Sequence, residues 1–441
     1  MKQGHLLLIP ALAFMLFSCE AAGPDTTTPD GDGDGGGTSV TPISYENRQA
    51  RSAKRGVSFN FSQTPAEDCA LLGPAVSWSY NWGNSLPSSA IQSQFDKYGM
   101  EYIQMIWNGN FNPDNIRAYK AAHPEAEYIL AFNEPNLTDQ ANMTPAEAAT
   151  HWPAVKALAE ELGMAIIAPA MNYGTLADYH DPWKWLDEFF TQPGVSLDDV
   201  SGIAIHCYMN SPKSVKGYIE EFKKYGKPIW LTEFCAWEGN VSEKQQIAYM
   251  SEMLNYLETA DHIERYAWFI PRGNGNSQCH NSLLTTIDFN NRTIELTPLG
   301  KVFVNMSTFD ETVYYKAGEI IPAEHYITVS DRIHLNPSSD PAGGILEVTD
   351  VNHGAWVEYL IELETPADFL EIRYTSFIDV NVSLYVDDEK VSDVLLENAD
   401  SKWVTKTVAV SLPEGRHRLK IGSEEGYTAT YNYFKIKTTN Q

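Results

Sequence analysis

Two glutamates each follow a short run of strand-forming residues. Glu134 comes directly after residues 128–132 and stands before a proline, and Glu233 comes directly after residues 229–232. Two carboxyl groups about 5 Å apart can hydrolyse a glycosidic bond with retention, because one protonates the leaving oxygen while the other attacks the anomeric carbon. A single glutamate at a strand end is as often a solvated surface residue. The chemistry therefore depends on whether the fold brings both glutamates together.

The elements that must position these glutamates are eight short apolar runs that alternate with helical segments. The predicted strands span residues 56–61, 75–78, 101–107, 128–132, 165–169, 202–208, 229–232 and 265–270. Their alternation with helices indicates strand–helix units on a parallel sheet, and eight units over roughly 250 residues are typical of a (β/α)8 TIM barrel. A doubly wound sheet would need a glycine-rich phosphate loop after the first strand, and the sequence has none there.

Helix starts in this region carry recognisable capping residues. Thr64, Thr144 and Ser242 each stand three residues before a Glu or Gln, which predicts a capping box. Four further helices are predicted to begin at a proline, whose missing N–H is not needed in the first turn. They span residues 113–122, 182–190, 212–225 and 298–309.

The barrel prediction places both glutamates at one mouth. Glu134 follows the fourth strand and Glu233 the seventh, and these strands face each other across the mouth where substrates bind. His206 and Tyr208 lie two residues apart at the end of the sixth strand, so their side chains point the same way. A buried, satisfied histidine explains His206 equally well.

Five tryptophans lie at or just past the predicted strand ends: Trp78, Trp82, Trp107, Trp237 and Trp268. The apolar faces of pyranose rings stack on indole rings, so these residues are candidates for sugar binding. A barrel core also accommodates tryptophan, and both interpretations stay open. Trp237 and Trp268 are the stronger candidates, because they are nearest to the strand that precedes Glu233 and to its neighbour.

The pattern changes after about residue 311, where alternating apolar and polar residues replace the helical segments. The predicted strands span residues 356–363, 369–377, 382–386, 403–412, 416–421 and 431–436, with Asp387 and Asp388 as a turn. Short strands at this spacing indicate an all-β sandwich of the jelly-roll kind. We therefore expect a barrel domain at residues 51–310 and a sandwich domain at residues 311–441.

The chain begins with features of an exported lipoprotein. Residues 1–19 combine Lys2, a short apolar run and Cys19, and a run of this length cannot span a bilayer. The last four of these residues resemble a bacterial lipobox, which implies a lipid on Cys19; an ordinary signal peptide with an incidental cysteine is the alternative. Residues 20–50 are rich in Gly, Asp, Thr and Pro and predict a flexible acidic spacer. We expect attachment to the bacterial outer membrane or cell surface.

Composition excludes some partner classes. The chain has 441 residues and a formal charge of −27, which repels nucleic acid and anionic lipid headgroups. A neutral polysaccharide fits this charge better, and we expect a monomer. Four cysteines remain besides Cys19, and either core packing or one of three disulfide pairings explains Cys69, Cys207, Cys235 and Cys279. The spacing of Cys and His residues indicates no metal site, and we expect no cofactor.

Motifs near the two glutamates extend through nearly the whole predicted barrel. They include Trp78-Ser79-Tyr80-Asn81-Trp82, Met105-Ile106-Trp107, Phe132-Asn133-Glu134-Pro135, Ile205-His206-Cys207-Tyr208, Trp230-Leu231-Thr232-Glu233-Phe234 and Tyr266-Ala267-Trp268-Phe269. In this order they resemble glycoside hydrolase family 128, which includes fungal cell-wall proteins and endo-β-1,3-glucanases. The resemblance implies a retaining enzyme with Glu134 as acid/base and Glu233 as nucleophile. It also implies that Asn133 hydrogen bonds the 2-hydroxyl of the sugar and that Tyr208, with His206 beside it, orients Glu233.

The sandwich resembles a family 6 carbohydrate-binding module. The resemblance rests on Ile321-Pro322-Ala323-Glu324, Gly354-Ala355-Trp356-Val357-Glu358-Tyr359, Ser401-Lys402-Trp403, Leu412-Pro413-Glu414-Gly415-Arg416-His417 and Asn432. It implies that Trp403 and Asn432 hold a sugar. The opposing aromatic residue of that family is missing from residues 341–346, so weak binding, binding on the other face and a purely structural module all stay open.

These observations lead to one expected function and two alternatives. We expect a retaining endo-β-1,3-glucanase that acts on laminarin-like or fungal-wall glucans. A β-glycanase for another linkage is the first alternative, because the pocket walls rather than the carboxyl pair decide the linkage. A surface glycan-binding lipoprotein without activity is the second, and the presence of both glutamates argues against it.

Overall fold

The computed structural model describes residues 41–273, 279–291, 293–424 and 426–439. The predicted signal peptide with Cys19 and most of the predicted spacer lie outside the described residues. Parallel strands and helices occupy the chain up to residue 305, which we call the α/β part, and antiparallel strands follow. Within the described ranges, no helix is both long enough and apolar enough to cross a membrane.

Nine short strands in the described residues form the parallel part of the fold. They are β1 Arg55–Ser58, β2 Trp78–Tyr80, β3 Glu101–Tyr102, β4 Gln104–Ile106, β5 Tyr128–Ala131, β6 Ala165–Ile167, β7 Ile203–Cys207, β8 Ile229–Phe234 and β9 Ile263–Trp268. Each overlaps one of the eight predicted runs, and Ile103 divides the third run into β3 and β4. Most side chains on both faces are buried, as expected of parallel strands covered on both sides.

Eight helices in the described residues alternate with these strands. They are α1 Pro65–Leu72, α2 Ser89–Tyr98, α3 Pro113–Ala122, α4 Pro145–Leu162, α5 Pro182–Phe189, α6 Pro212–Phe222, α7 Glu243–Thr259 and α8 Pro298–Asn305. Short 3-10 turns at Leu197–Asp199 and Lys223–Tyr225 follow α5 and α6. The capping boxes predicted at Thr144 and Ser242 are confirmed. The one predicted at Thr64 is wrong, because its hydroxyl donates to the Asp68 carboxylate and caps no helical N–H.

Hydrogen bonding joins the parallel strands into two sheets. One has the order β3-β2-β1-β9-β8-β7, and the other has the order β4-β5-β6. Isolated parallel bridges between Ile167 and Gly202 and between Met171 and Ile205 connect the β6 region to the β7 region. Because all of these pairings are parallel, the carboxyl ends of the strands lie on the same side, where α/β proteins bind their ligands.

The strands of the α/β part contribute to two apolar clusters. Residues such as Ile205, Leu231 and Trp268 pack against the helices, and the residues that alternate with them form a second, smaller cluster. Trp78 and Trp230 fill much of this smaller cluster. An added Cβ at Gly56 would lie 2.4 Å from the indole of Trp78, so β1 requires glycine at this position.

Eleven antiparallel strands among the described residues form a β-sandwich. They are β10 Ile320–Pro322, β11 Thr328–Val329, β12 His334–Pro337, β13 Leu346–Thr349, β14 Ala355–Leu363, β15 Ala367–Thr375, β16 Val380–Val386, β17 Glu389–Leu396, β18 Val404–Leu412, β19 Gly415–Ser423 and β20 Thr430–Lys437. One sheet has the order β12-β13-β20-β15-β18, with β10 also paired to β20, and the other has the order β11-β14-β19-β16-β17. Asp387 and Asp388 form the predicted turn, with φ of 48° and 69°.

Residues 43–50, which we call the N-terminal strap, are hydrogen bonded to the rest of the fold. Tyr45 donates to the buried carboxylate of Glu324 in the sandwich, and the Ala50 amide donates to Asp310 (2.7 Å). The sequence assigns this strap to a flexible spacer that ends at residue 50. In the structure, the side chains of the strap bind the sandwich and the segment before it, as the bond from Gln49 to the hydroxyl of Ser307 (3.0 Å) shows.

The α/β part and the sandwich contact each other through α7, α8 and β12. The Leu335 amide donates to the hydroxyl of Ser251 (3.2 Å), and the hydroxyl of Tyr326 donates to Asn255 (2.8 Å). The described residues from 42 onwards accordingly form one compact unit.

Candidate active site

Glu134 lies in a tight turn directly after β5. Its backbone N–H donates to the carbonyl of Ala170 (2.9 Å), and the N–H of Asn133 donates to the carbonyl of Trp107 (2.9 Å). Phe132 and Glu134 have positive φ, 30° and 44°, which is unfavourable for residues with a side chain. The backbone hydrogen bonds hold this strained turn in place. Glu134 is only 7 % exposed, so its carboxyl group is not a solvated surface group.

Glu233 lies near the end of β8 and is 5 % exposed. Tyr80 OH (2.8 Å) and Trp82 Nε1–H (2.7 Å) donate to its Oε1, and Tyr208 OH donates to its Oε2. An indole N–H can only donate, so Oε1 is an acceptor in this arrangement. Burial raises the pKa of Glu233, while the charge of His206 and the bonds from Trp82 and Tyr208 oppose that rise. The three donors therefore favour the carboxylate form of a buried glutamate.

One imidazole ring contacts both carboxyl groups. His206 Nδ1 lies 2.9 Å from Glu134 Oε1, and His206 Nε2 lies 3.5 Å from Glu233 Oε1. Burial lowers the pKa of His206, but the charges of Glu233 and Glu134 and the hydrogen bond to Glu134 outweigh it and raise the pKa above the usual 6.5. The structure thus brings Glu134, Glu233 and His206 together, and a protonated imidazole between the two carboxylates reduces their repulsion.

Asn172, which the sequence analysis did not single out, also contacts Glu134. Its Nδ2 donates to Glu134 Oε1 (3.1 Å), and its Oδ1 accepts from the Tyr173 amide (2.8 Å), which fixes the orientation of the side-chain amide. Glu134 Oε1 therefore interacts with both Asn172 and His206, whereas Oε2 has no hydrogen bond from a described residue. Asn172 could have been found as a polar residue just past the carboxyl end of β6.

Tyr80 was also missed, although its neighbours Trp78 and Trp82 were candidates. Alternate residues of a strand share a face, so Tyr80 lies on the same side as both tryptophans. A buried tyrosine hydroxyl requires a hydrogen-bond partner, and here the partner is Glu233 Oε1. The alternation of aromatic residues at positions 78, 80 and 82 was the sequence pattern that could have indicated Tyr80.

Asn133 is buried beside Glu134. Its Nδ2 donates to Gln140 Oε1 (3.1 Å), and its Oδ1 is buried without a hydrogen-bond partner among the described residues. An unsatisfied buried acceptor costs about 1–3 kcal/mol, and native proteins have few of them. Asn133 Oδ1 is thus available to a donor on a ligand.

Comparison with known proteins identifies the family. Residues 56–303, which are more than half of the chain, match the glycosyl hydrolase catalytic core family. The chain belongs to this family. The matched segment contains Glu134, His206 and Glu233, so the carboxyl pair lies within the glycosyl hydrolase core.

Relatives of this core include solved structures. A GH128 (subgroup II) endo-β-1,3-glucanase from Pseudomonas viridiflava is 33 % identical and covers 58 % of this chain and 98 % of its own, with a TM-score of 0.52. A second subgroup II endo-β-1,3-glucanase, from Sorangium cellulosum, is 33 % identical over 57 % of this chain and 98 % of its own, with a TM-score of 0.49. Alkali-sensitive linkage protein 1 of Schizosaccharomyces pombe is 26 % identical over 230 residues, which are 50 % of this chain. The chain spans only 39 % of that relative's length.

Aromatic rings of the glycosyl hydrolase core surround Glu233. The centroid of Phe269 lies 6.1 Å from that of Trp82, 5.7 Å from that of Trp237 and 5.4 Å from that of Tyr208. Trp82 and Trp237 are partly exposed, as is Trp107, whose carbonyl binds the turn before Glu134. Three of the five candidate tryptophans therefore keep some accessible surface.

Trp78 and Trp268 are not brought to this site. Trp78 is fully buried and donates to the carbonyl of Lys54 (3.0 Å), because it begins β2 instead of ending a strand as the sequence predicts. Trp268 is also fully buried, packs on the helix-facing side of β9 and donates to the carbonyl of Asn281 (2.8 Å). Stacking on a sugar requires an accessible ring face, so the structure does not support that role for either residue.

The two sugar-binding candidates of the sandwich are occupied by internal contacts. Asn432 is 1 % exposed; its Oδ1 accepts from the Gly344 amide (2.7 Å), and its Nδ2 donates to the hydroxyl of Ser338 (2.8 Å). Trp403 Nε1–H donates to the hydroxyl of Ser339 (3.1 Å). Both side chains hold the loop before β13, and a sugar-binding role for them stays a prediction.

Cys69, Cys207 and Cys235 are buried free thiols in the described part of the chain. Burial raises the pKa of each thiol, so these residues are packing residues rather than nucleophiles. Among the described residues, no group of three or more His, Cys, Asp and Glu side chains has an arrangement that could hold a metal ion.

Proposed function

We propose that this chain is a retaining β-glycoside hydrolase that cleaves β-1,3-glucan, with Glu134 as acid/base and Glu233 as nucleophile. The observation that carries the proposal is the contact of both carboxyl groups with the single imidazole of His206. The family match supports the reaction class. The solved relative from Pseudomonas viridiflava is an endo-β-1,3-glucanase, which supports this linkage and cleavage within the chain.

We also propose that the parallel strands close into an eight-stranded (β/α)8 barrel. Parallel bridges link the β6 region to the β7 region, and only Ile103 separates β3 from β4, which supports one continuous circuit of strands. In such a barrel, Glu134, His206 and Glu233 lie at the carboxyl ends of three strands, where barrel enzymes carry out their chemistry.

In the first step of the proposed reaction, Glu134 donates its proton to the glycosidic oxygen while a Glu233 oxygen attacks the anomeric carbon. The glycosidic bond breaks, and an ester between the sugar and Glu233 forms. Hydrogen bonding supports this division of roles. Oε1 of Glu134 already interacts with Asn172 and His206, which leaves Oε2 for the proton, whereas both oxygens of Glu233 accept from donors.

In the second step, Glu134 accepts a proton from water as that water attacks the anomeric carbon and releases Glu233. Asn133 Oδ1, which is buried and unpartnered among the described residues, is the proposed acceptor for the 2-hydroxyl group of the sugar at the cleavage point. This hydrogen bond strengthens as positive charge develops at the anomeric carbon. The partly exposed rings of Trp82 and Trp237 are proposed to contact pyranose faces on the Glu233 side.

A panel of soluble β-glucans with different linkages tests the proposal. We expect the wild-type protein to release reducing ends from β-1,3-glucan, with a first product of β configuration by NMR and a mixture of oligosaccharide sizes. Glu134→Gln and Glu233→Gln should each lower kcat by about a thousandfold. Glu238→Gln is the matched control, because Glu238 is an exposed carboxylate five residues beyond Glu233.

The same experiment separates the alternatives. Full activity in Glu233→Gln, or a first product of α configuration, contradicts the proposed mechanism. Activity confined to another β-linkage keeps the chemistry but changes the substrate. Binding of glucan with no hydrolysis in the wild type indicates a glycan-binding protein without activity.

We further propose that the protein is exported and anchored at the outer membrane or cell surface through a lipid on Cys19. The lipobox-like residues before this cysteine and the acidic Gly-rich sequence after it support the proposal. Labelling of cells with radioactive palmitate should mark the wild type and not Cys19→Ala. Equal labelling of both proteins contradicts the anchor.

A further inference from the structure

Tyr173 is an exposed aromatic residue close to the acid/base glutamate. In the described residues of the glycosyl hydrolase core, Tyr173 (40 % exposed) and Phe289 are the exposed aromatic side chains. Tyr173 directly follows Asn172, whose amide donates to Glu134 Oε1. Its own N–H binds back to Asn172 Oδ1, so its backbone position is tied to that contact.

Tyr173 packs against two other aromatic rings. Its ring centroid lies 5.9 Å from that of Trp183 and 5.3 Å from that of Tyr218. Tyr218 is buried and donates to the carbonyl of Met171, one residue before Asn172. Tyr218 therefore fixes these rings to the backbone that leads into Asn172.

The segment that carries Tyr173 is fastened to the Glu134 turn by Asn136. Asn136 is fully buried, and its Nδ2 donates to the carbonyls of Asn172 (2.7 Å) and Tyr179 (3.3 Å). Its own carbonyl accepts from the amides of residues 175 and 176. A Cβ at Gly174 would lie 2.3 Å from the carbonyl oxygen of Tyr179, so the segment packs without free space. Tyr173 is therefore held at a defined position relative to Glu134.

The two sides of the carboxyl pair have different aromatic residues. The rings of Trp82, Trp237 and Phe269 are grouped around Glu233, which attacks the sugar that the enzyme retains. Tyr173 lies on the side of Glu134, which protonates the oxygen of the sugar that departs. An uncharged, half-exposed ring backed by other rings is suited to the apolar face of a neutral pyranose.

We propose that Tyr173 is the platform that binds the departing sugar unit of a β-linked glucan, next to Glu134. This inference rests on the proposed function, because it uses the assignment of Glu134 as acid/base. Its ligand class is a neutral hexopyranose on the leaving-group side of the cleavage point. The same platform binds acceptor sugars when a second sugar replaces water in the second step.

Two substrates that differ only in the leaving group test this proposal. One is a β-1,3-linked oligosaccharide, whose departing sugars require a binding platform, and the other is the matching β-glycosyl fluoride, whose leaving group is a single atom. Tyr173→Ala should lower kcat/KM on the oligosaccharide about tenfold, mainly through KM, and leave the fluoride unchanged. Transfer to added β-1,3-linked disaccharide acceptors should fall in parallel. Tyr173→Phe should retain wild-type behaviour, because the ring face is kept.

Phe377→Ala is the matched control, since Phe377 is an exposed aromatic residue of the sandwich. Equal losses on both substrates in Tyr173→Ala, or no loss on either, overturn the proposal. A wild-type protein that hydrolyses neither substrate refutes the proposed function itself and this inference with it. The two failures are distinguishable, because hydrolysis of the fluoride by the wild type requires the nucleophile Glu233 but no binding site for a departing sugar.

Discussion

Removal of the indole N–H of Trp82 tests the assignment of Glu233 as nucleophile. In Trp82→Phe an aromatic ring stays next to Tyr80 and Phe269, but Glu233 Oε1 loses the bond of 2.7 Å. A hydrogen bond to a charged group contributes about 1.5–3 kcal/mol, and this one stabilises the ionised carboxyl group more than the protonated one. The pKa of Glu233, which burial already raises, should therefore rise further in the variant.

The pH profile of kcat/KM on soluble β-1,3-glucan measures this effect, because its acidic limb follows ionisation of groups in the free enzyme. About 1.4 kcal/mol corresponds to a factor of ten. At the low pH values of the acidic limb, where Glu233 is largely protonated, Trp82→Phe should retain about a tenth or less of the wild-type kcat/KM. The difference between the two proteins should shrink as the pH rises. Trp356→Phe in the sandwich controls for the loss of an indole. An unchanged acidic limb, or a loss of equal size at every pH, would refute the reasoning.

Three further predictions concern protonation and stability. Loss of the His206 proton, as the pH rises above 6.5 through its raised pKa, removes a positive charge beside the acid Glu134 and the nucleophile Glu233, so the alkaline limb of kcat/KM should move in His206→Asn, while ionisation of Glu134 still gives that variant an alkaline limb. Burial raises the pKa of Glu324 from 4.5 to about 7, so the folded protein binds this proton more tightly than the unfolded chain. The resulting stability, about 3 kcal/mol, is present below pH 4.5 and is lost as the pH rises to 7. Urea unfolding at pH 5 and at pH 8 measures this loss, and the difference in the free energy of unfolding between the two pH values should be smaller in Glu324→Gln than in the wild type. Burial lowers the pKa of His325 to about 4, so His325 contributes to this difference with the opposite sign, and it does so equally in both proteins. Arg55→Ala leaves Glu258 buried without its ionic partner and should lower the free energy of unfolding by about 3–5 kcal/mol, visible as a lower Tm, whereas exposed Arg117→Ala should have little effect.

The strands of the α/β part could be predicted because both of their faces are buried. A run such as Tyr128–Ala131 is apolar without alternation, and that pattern is visible in the sequence alone. The strands of the sandwich were harder to predict from the sequence. Strand β17 Glu389–Leu396 lies at the edge of its sheet and is largely exposed and polar, so its sequence does not indicate a strand. Strands β10 to β13 have only two to four residues and depend on partners elsewhere in the chain.

The carboxyl pair could be predicted because Glu134 and Glu233 are defined by the local strand ends that precede them. The groups that hold the pair could not, since each depends on a contact between distant residues. Asn172 reaches Glu134 across 38 residues, and Tyr80 reaches Glu233 across 153 residues. The different placement of Trp78 has a local cause, because β2 begins where the sequence predicts a strand to end.

The N-terminal strap packs against the sandwich through Tyr45, whose hydroxyl accepts from the amide of Ile345 (3.3 Å). An added Cβ at Gly344 would lie 2.7 Å from the ring of Tyr45. Glycine at position 344 therefore leaves room for the strap. The sandwich also joins the core at Ser307, whose carbonyl accepts from Arg55 at the start of β1 and whose hydroxyl donates to the carbonyl of Tyr326. Glu134 and Glu233 lie at the opposite, carboxyl ends of the strands. The contacts of Ser307 therefore stabilise the amino end of β1, on the side away from both carboxyl groups.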